Sequence, residues 1–141
     1  MRFLDSNIFI YAYYRPSRAL RDREMVMKEA SKRILKAVNE GEEKVLTTVV
    51  HLSEVANILG RRIGLSELTD LFLGLFMLDN VAIEDVSRDL YFSAIDLGQE
   101  LGLDPNDALA VEAMRRNEID EIYSFDADFD KVKGIKRITS K

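Results

Sequence analysis

Short apolar runs alternate along the chain with longer segments in which apolar residues recur every three or four positions. This alternation is typical of a parallel β-sheet covered by helices on both faces. We therefore predict an α/β fold with a mostly parallel sheet of four to five strands, RFL, KVLTT, VAIEDV, IDEIYSF and IKRIT. One domain spanning residues 1–141 is expected, because that length suits a single core.

The segments between these strands have the period of amphipathic helices. After the first strand, apolar residues from Val26 to Val38 fall at helical spacing, and Gly41 marks the end of that helix. In the last helix Asp104 is a predicted N-cap and Pro105 suits the first helical position. The other predicted helices cover VVHLSEVANILGRR, LSELTDLFLGLFMLD, DLYFSAIDLGQELG and, after Asp104, PNDALAVEAMRR.

Acidic residues lie at or shortly after the ends of the predicted strands. Asp5 directly follows RFL, and Asp126 follows EIYSF. Glu54 lies in the helix that leaves KVLTT, and Asp107 lies in the first turn of the helix that opens at Asp104. The carboxyl ends of parallel strands share one edge of a sheet, and open α/β sheets bind ligands in the crevice outside it. We therefore expect these four acids to converge at one crevice.

Each acid also has a simple structural explanation. Asp5 could cap the next helix, and Asp107 could complete a capping box. Glu54 could be a solvated helix position, and Asp126 could belong to a polar turn. Four independent causes would have to place acids at one edge, whereas a single cation site requires that placement. Because no lysine or arginine matches them in their immediate segments, we favour a hard divalent ion, Mg²⁺ or Mn²⁺, as their partner.

The amino-acid composition excludes several classes of catalytic and metal-binding site. The chain has no cysteine, which excludes disulfides, thiolate nucleophiles, zinc ribbons and iron–sulfur sites. The single histidine, His51, leaves no histidine cluster and is expected to be a satisfied helix residue near a strand end. No apolar run approaches the roughly 18 residues of a membrane span, and no signal-peptide pattern is visible, so we expect a cytoplasmic protein.

The net charge of −5 conceals an asymmetry along the chain. Residues from Arg15 to Lys36 include eight basic and three acidic side chains, a net charge of +5. This stretch is either a solvated helix face or a surface that contacts phosphates, because arginine and lysine clusters supply the sequence-independent part of nucleic-acid affinity. The pattern alone leaves both interpretations open.

Four motifs in order resemble those of the PIN-domain family, which includes the VapC-like ribonucleases. They are FLDSNIFIYA, LSEVAN, DPNDALAVEA and IYSFDADFD, and together they extend over nearly the whole chain. The resemblance implies a three-layer α/β/α sandwich, a ribonuclease site dependent on Mg²⁺ or Mn²⁺, and a tendency to form homodimers.

The resemblance also implies roles for particular residues. Carried over by motif, the metal-binding and catalytic acids are Asp5, Glu54, Asp107 and Asp126, with Asn7 and Ser124 as supporting polar groups. Ser6 and Ser124 stand where the family usually has threonine, and both keep a hydroxyl. At the last motif we favour Asp126, which is nearest the strand end, over Asp128, and we expect Asp130 to face solvent.

The predicted function is hydrolysis of RNA phosphodiester bonds, either by the toxin of a toxin–antitoxin pair or by an RNA-processing enzyme. The phosphate backbone is predicted to contact Arg15, Arg18, Arg21 and Arg23. Tyr13 and Tyr14 continue the helix that begins at Asn7, so core or dimer contacts are favoured over base stacking. The helix LTDLFLGLFML is apolar beyond one core-facing stripe; we expect most of it to be buried, with a dimer contact as the alternative.

Two other functions remain in competition. A phosphotransferase could form an aspartyl-phosphate at Asp5. Haloacid-dehalogenase-like phosphatases need a second aspartate where this chain has Asn7, and response-regulator receivers need a lysine after a late strand, where IYSFDADF has none. A non-catalytic regulatory or interaction module, whose acids only hold a structural ion, would bind metal without cleaving RNA.

Overall fold

A five-stranded sheet forms the centre of the computed structural model, which describes all residues, Met1–Lys141. Every neighbouring pair of strands is parallel, in the order β3-β2-β1-β4-β5. The strands are β1 Arg2–Leu4, β2 Val45–Thr48, β3 Val81–Glu84, β4 Glu121–Tyr123 and β5 Lys136–Ile138. The prediction of an α/β fold with a parallel sheet is confirmed, although most strands are shorter than the apolar runs that predicted them.

Six α-helices cover the two faces of the sheet. They are α1 Ser6–Ala12, α2 Asp22–Asn39, α3 Val49–Leu59, α4 Leu65–Phe76, α5 Arg88–Leu101 and α6 Pro105–Arg116, and a 3₁₀ helix follows at Ala127–Lys131. Neighbouring residues of a strand belong to the hydrophobic cores on opposite faces of the sheet. Leu4 packs in the core formed with α1 to α4, and Phe3 packs in the core formed with α5 and α6. This alternation is what the two-residue period of a strand requires. The result is the predicted three-layer sandwich.

The carboxyl-terminal edge of the sheet is where several helices begin. α1 starts directly after Asp5, which caps it by accepting a hydrogen bond from Ser6 N at 2.8 Å. α3 starts directly after Thr48, and α6 is capped by Asp104. Gly98 lets α5 lie against the start of α6, because a Cβ there would be 2.7 Å from Leu103 O. These connections bring distant segments to one edge.

The apolar helix α4 is buried on one side only. Leu68 and Leu75 are buried, and Leu71, Phe72 and Leu78 are partly buried against the same core. Four apolar side chains of α4 and its C-cap remain in solvent, Leu65, Leu73, Phe76 and Met77. Most of the predicted burial is therefore observed, and the exceptions within LTDLFLGLFML are Leu73, Phe76 and Met77. No helix has both the length and the apolar character needed to cross a membrane.

The helix that begins after Asp5 is shorter than the sequence suggests. α1 ends at Ala12, so the prediction that Tyr13 and Tyr14 continue it is wrong. Tyr13 is the C-cap and packs against the core, as favoured. Tyr14 lies beyond the helix with its ring 5.8 Å from that of Tyr11.

Candidate active site

An acidic pocket of about 180 Å³ lies at the carboxyl-terminal edge of the sheet. All four predicted acids, Asp5, Glu54, Asp107 and Asp126, line it together. Asp104, predicted only as a helix cap, is a fifth acid in the lining. The remaining lining residues are Ser6, Asn7, Ile10 and Ile58, so no lysine or arginine offsets the acids there.

Asp5 is the most buried of these acids, with 4 % of its surface exposed. Its Oδ1 accepts a hydrogen bond from Ser6 N, and its Oδ2 accepts one from the Ser124 hydroxyl at 2.6 Å. Burial raises the pKa of Asp5 to about 6, because the bond from Ser124 only partly offsets the desolvation and the charge of Glu54 raises the pKa further. Asp5 is thus both the predicted helix cap and a member of the acidic pocket.

Glu54 projects from α3 and is held at both carboxylate oxygens. The Ser6 hydroxyl donates a hydrogen bond to Glu54 Oε1, and Asn106 Nδ2 donates to Oε2 at 3.3 Å. Ser6 therefore connects the start of α1 to α3, and Asn106 connects the start of α6 to α3. A solvated helix position would not have these contacts.

Asp107 has a pKa that is raised further than that of Asp5. Its pKa is raised to about 9 by burial first and then by the charges of Asp5 and Asp104, with Asp126 adding a shared hydrogen bond. Its backbone N–H donates to Asp104 Oδ1 at 2.8 Å, which is the N-cap bond. The carboxyl group of Asp107 makes no hydrogen bond back to Asp104 N. The N-cap therefore explains the hydrogen bond of the Asp107 backbone but not the position of its carboxyl group.

The last motif contributes Asp126 and, from outside the pocket, Asp128. One carboxylate oxygen each of Asp107, Asp126 and Asp128 lie within 4.8 Å of one another. Asp126 also lines the pocket with Asp5, whereas Asp128 is exposed and donates its backbone N–H to Asp126 Oδ1 at 2.9 Å. Asp130 faces away, with its carboxylate bound to Arg137 at 2.8 and 2.9 Å. The order of preference drawn from the sequence agrees with this placement.

Ser124 and Asn7 hold the end of β4 against the start of α1. The Ser124 hydroxyl donates to Asp5 and accepts from Asn7 Nδ2 at 3.2 Å and from Asp126 N at 3.0 Å. Asn7 Oδ1 accepts from Phe125 N at 3.4 Å. Both polar groups of the Asn7 side chain are thus engaged in hydrogen bonds that join the end of β4 to α1, although the residue also lines the acidic pocket.

Behind Glu54 lies a buried polar network that the sequence did not reveal. Burial lowers the pKa of His51 to about 4, so its ring is neutral at pH 7. His51 Nε2 donates to the backbone O of Asn106 at 3.1 Å, and Nδ1 accepts from the Thr48 hydroxyl at 2.7 Å. The Tyr91 hydroxyl donates to Asn106 Oδ1 at 2.7 Å, which orients the amide toward Glu54. His51 is the satisfied helix residue that was expected.

Comparison with the sequence profiles of protein families identifies the family of this chain. The profile of the PIN domain matches residues 2–135. The chain belongs to the PIN-domain family. A comparison with curated protein sequences gave no match.

Solved structures share the fold of this PIN domain. The crystal structure of Mycobacterium tuberculosis VapC20, described as a toxin that cleaves the sarcin–ricin loop, superimposes with a TM-score of 0.66 and 22 % identity, covering 92 % of this chain and 93 % of that one. The structure of PAE2754 from Pyrobaculum aerophilum gives a TM-score of 0.60 and 14 % identity, covering 96 % of this chain and 87 % of that one. At these identities the likeness concerns the fold.

The predicted RNA-binding arginines do not form one surface in this PIN domain. Arg15 pairs with Glu67 at 3.1 Å and lines a pocket with Arg61 and Arg62, which the sequence analysis did not select. Arg18 is bound at both guanidinium ends to Glu24, at 2.7 and 3.0 Å. The remaining two, Arg21 and Arg23, are exposed near the start of α2.

Two pockets with arginines are connected to the acidic one. Ile58 lines both the acidic pocket and the pocket that contains Arg15. Phe125, which immediately precedes Asp126 of the acidic pocket, lines a pocket that contains Arg23. A negatively charged polymer bound at the acidic pocket would therefore have arginines of both pockets to contact.

Proposed function

We propose that this PIN domain is a divalent-metal-dependent endoribonuclease that hydrolyses phosphodiester bonds of RNA. The observation that carries the proposal is the convergence of Asp5, Glu54, Asp107 and Asp126 in a pocket without a basic side chain. Such a group of carboxylates is tolerated when protons or a cation offset its charge. Burial first, and then the charges of Asp5 and Asp104, raise the pKa of Asp107 to about 9, so a cation would favour the ionised form of this group.

The donor set fits Mg²⁺ or Mn²⁺. These ions take oxygen ligands and keep several waters, and a few carboxylates suffice to hold them. We assign the metal-binding role to Asp5, Glu54, Asp107 and Asp126, with Asp128 able to join from outside. A divalent cation held by these residues would supply a Lewis acid for activating water and for offsetting charge on the phosphoryl oxygens.

The chain's own residues would then position the reacting groups. Ser124 and the backbone N–H of Ser6 fix both oxygens of Asp5, so that its orientation is set before substrate arrives. Ser6 and Asn106 do the same for Glu54. The role of accepting a proton from the attacking water is proposed for Asp107 or Asp126, whose carboxylates are close together and half-buried.

The substrate class and the biological role rest on further features. Pockets lined by Arg15 and Arg23 and connected to the acidic pocket support binding of an RNA backbone. The structural likeness to a toxin that cleaves an RNA loop supports a role as the toxin of a toxin–antitoxin pair. Growth arrest on expression, relieved by coexpression of the protein encoded by the adjacent open reading frame, tests that role.

We also propose that a second copy of this chain is a partner, so that the protein forms a homodimer. Leu73, Phe76 and Met77 on α4 are all more than half exposed and form an apolar surface that a second copy could cover. Light scattering after gel filtration measures the mass directly. Phe76→Ser is expected to shift the equilibrium from dimer toward monomer. If the variant keeps the mass of a dimer, this apolar surface is not the dimer interface.

Neither competing function has a comparable supporting observation. For an aspartyl-phosphate at Asp5, the residue two positions on is Asn7 instead of a second aspartate, and the amide of Asn7 is engaged with Ser124 and with Phe125 N. A purely structural ion would explain the acids but not the arginine-lined pockets beside them. Cleavage assays separate these alternatives.

The decisive experiment incubates the purified protein with a structured RNA, with Mn²⁺ or with a chelator. We expect cleavage with Mn²⁺ only, and a loss of at least about a hundredfold in Asp107→Asn, because one ligand and one proton acceptor are removed. Asp96→Asn is the matched control, since Asp96 is exposed on α5 outside the pocket. Cleavage that survives in Asp107→Asn, or a rise in melting temperature with Mn²⁺ and no cleavage in the unchanged protein, would refute the nuclease.

A further inference from the structure

A second pocket, of about 380 Å³, lies between α2 and the residues that follow β5. We call it the α2–β5 pocket. Its lining combines three arginines, four apolar side chains and two hydroxyl groups: Arg23, Val26, Met27, Ala30, Arg33, Phe125, Arg137, Thr139 and Ser140. Its volume is within the range of small-ligand sites.

The α2–β5 pocket is coupled to the acidic pocket through the chain that follows β4. Phe125, in its lining, donates its backbone N–H to Asn7 Oδ1. The next residue, Asp126, lines the acidic pocket. Its charge also reaches Arg137, whose pKa is raised mainly by the hydrogen bond to Asp130 and in part by Asp126. A ligand in the α2–β5 pocket would therefore lie next to the proposed reaction site.

The three arginines in this pocket are not equivalent. Arg137 is committed to Asp130 through two hydrogen bonds, at 2.8 and 2.9 Å. Arg23 and Arg33 are exposed on α2 and have no acidic partner within 4 Å. These two free guanidinium groups lie ten residues apart on one helix, about 15 Å along its axis, and each suits the oxygens of a phosphate group.

The apolar part of the lining suits a nucleobase. Phe125 is held by Tyr11, whose ring packs edge-on at 5.4 Å between centroids. An aromatic ring beside arginines is the combination that binds unstacked bases of single-stranded nucleic acid. The hydroxyls of Thr139 and Ser140 are of the kind that bond a ribose 2′-OH, the group that distinguishes RNA from DNA.

The pocket that shares Ile58 with the acidic site has a more polar lining. It contains Arg15, Arg61 and Arg62, and Ile58 is its one hydrophobic residue. Its composition suits a phosphate backbone passing over the surface rather than a base. Recognition of an individual nucleotide is therefore assigned to the α2–β5 pocket.

We infer that the α2–β5 pocket binds one nucleotide of the RNA substrate next to the scissile bond, with the base against Phe125 and Met27 and the two phosphates that flank it on Arg23 and Arg33. This inference rests on the proposed ribonuclease function, which it extends by a specificity-determining subsite. It locates base selection at the Asp126 side of the metal-binding acids.

The first test measures nucleotide binding without cleavage. The four ribonucleoside 5′-monophosphates are titrated into ¹⁵N-labelled protein and followed by NMR. We expect the amide signals of Phe125 and Met27 to shift with at least one nucleotide and to shift less with its 2′-deoxy form. Shifts confined to the surroundings of Arg61 and Arg62, or no shift with any of the four, would overturn the assignment.

The second test uses single-stranded oligoribonucleotides in the Asp107→Asn background, where we expect no cleavage. Arg33→Ala should weaken binding about tenfold and reduce the slope of log affinity against log salt concentration by about 0.7, the value for one phosphate contact on a single strand. Arg33→Lys should restore the slope, because it keeps the charge. Arg116→Ala is the control, since Arg116 is exposed at the opposite end of α6 from Asp107.

Failure of this inference and failure of the proposed function give different results. Unchanged affinity and slope in Arg23→Ala and Arg33→Ala, with RNA cleavage intact, would remove the subsite and leave the nuclease. In the otherwise unchanged enzyme we expect Arg33→Ala to raise KM more than it lowers kcat, because the contact is made before and during the reaction. Nucleotide shifts at Phe125 without any RNA cleavage would retain the binding pocket and refute the nuclease.

Discussion

Replacing Asp5 by asparagine should stabilise the metal-free protein. In the folded state the pKa of Asp5 is raised to about 6, from 3.8 in a free side chain, so ionising it at pH 7 costs about 3 kcal/mol of folding free energy. Asparagine has no charge to desolvate, but it retains only one acceptor oxygen for the two bonds that Asp5 accepts, which costs about 1 kcal/mol. The net gain is therefore about 2 kcal/mol, or roughly 8 °C in melting temperature for a domain of this size.

The pH dependence of the same variant has a definite sign. Between about pH 4 and pH 6 the folded state keeps a proton on Asp5 that the unfolded chain has lost. The stability of the metal-free protein therefore falls as the pH rises through that window, and Asp5→Asn removes this contribution. The advantage of the variant should be absent at pH 4 and complete near pH 7.

Urea denaturation in the presence of chelator, at pH 4 and pH 7, measures both effects, and Asp96→Asn serves as the control for loss of one surface carboxylate. Adding Mn²⁺ should stabilise the unchanged protein more than Asp5→Asn, because only the former has the full ligand set. If Asp5→Asn is less stable than the unchanged protein by the same amount at both pH values, Asp5 is only a helix cap. The electrostatic account of the pocket would then be wrong.

Two further predictions concern the network behind Glu54. Asn106→Ala removes the donor to Glu54 Oε2 and the partner of Tyr91, so Mn²⁺ affinity measured by calorimetry should fall about 10- to 100-fold; unchanged affinity would show that the orientation of Glu54 does not depend on Asn106. Because burial lowers the pKa of His51 to about 4, the unfolded chain takes up a proton first as the pH falls below about 6.5, and stability should drop by up to about 3 kcal/mol by pH 4. His51→Gln should flatten that part of the urea-denaturation profile, and an equally steep profile in the variant would exclude His51 as its source.

The parallel direction of the strands and the convergence of the acids could be predicted from the sequence, whereas the order of the strands was not predicted. Parallel strands all end at the same edge, so a residue's position relative to its strand end determines where it lies. Asp5 and Asp126 directly follow strands, and Glu54 and Asp107 lie early in helices that begin at that edge. This reasoning needed only the direction of the chain and the apolar pattern.

The residues that the sequence analysis missed depend on how helices pack against each other. Asp104 had a sufficient role as a helix cap, and nothing in the sequence placed its carboxylate in the pocket. Asn106 reaches Glu54 only because α6 lies beside α3. Arg18 could not be separated from Arg15 by composition, yet it is paired with Glu24 while Arg15 borders the site beside Arg61. Side-chain partners across elements are not encoded in local spacing.

The electrostatics of the pocket connect its stability to its substrate. The groups that hold Asp5 and Glu54 in place are hydroxyls, an amide and a backbone N–H, and none of them carries a positive charge. Neutral donors can orient the carboxylates but cannot offset the burial and mutual repulsion that together raise the pKa values of Asp5 and Asp107. An RNA phosphate has the same sign of charge as the pocket and would be repelled by it. A bound divalent cation reverses both effects at once, and the arginines remain outside the pocket, where they can attract the strand without neutralising the acids that the cation requires.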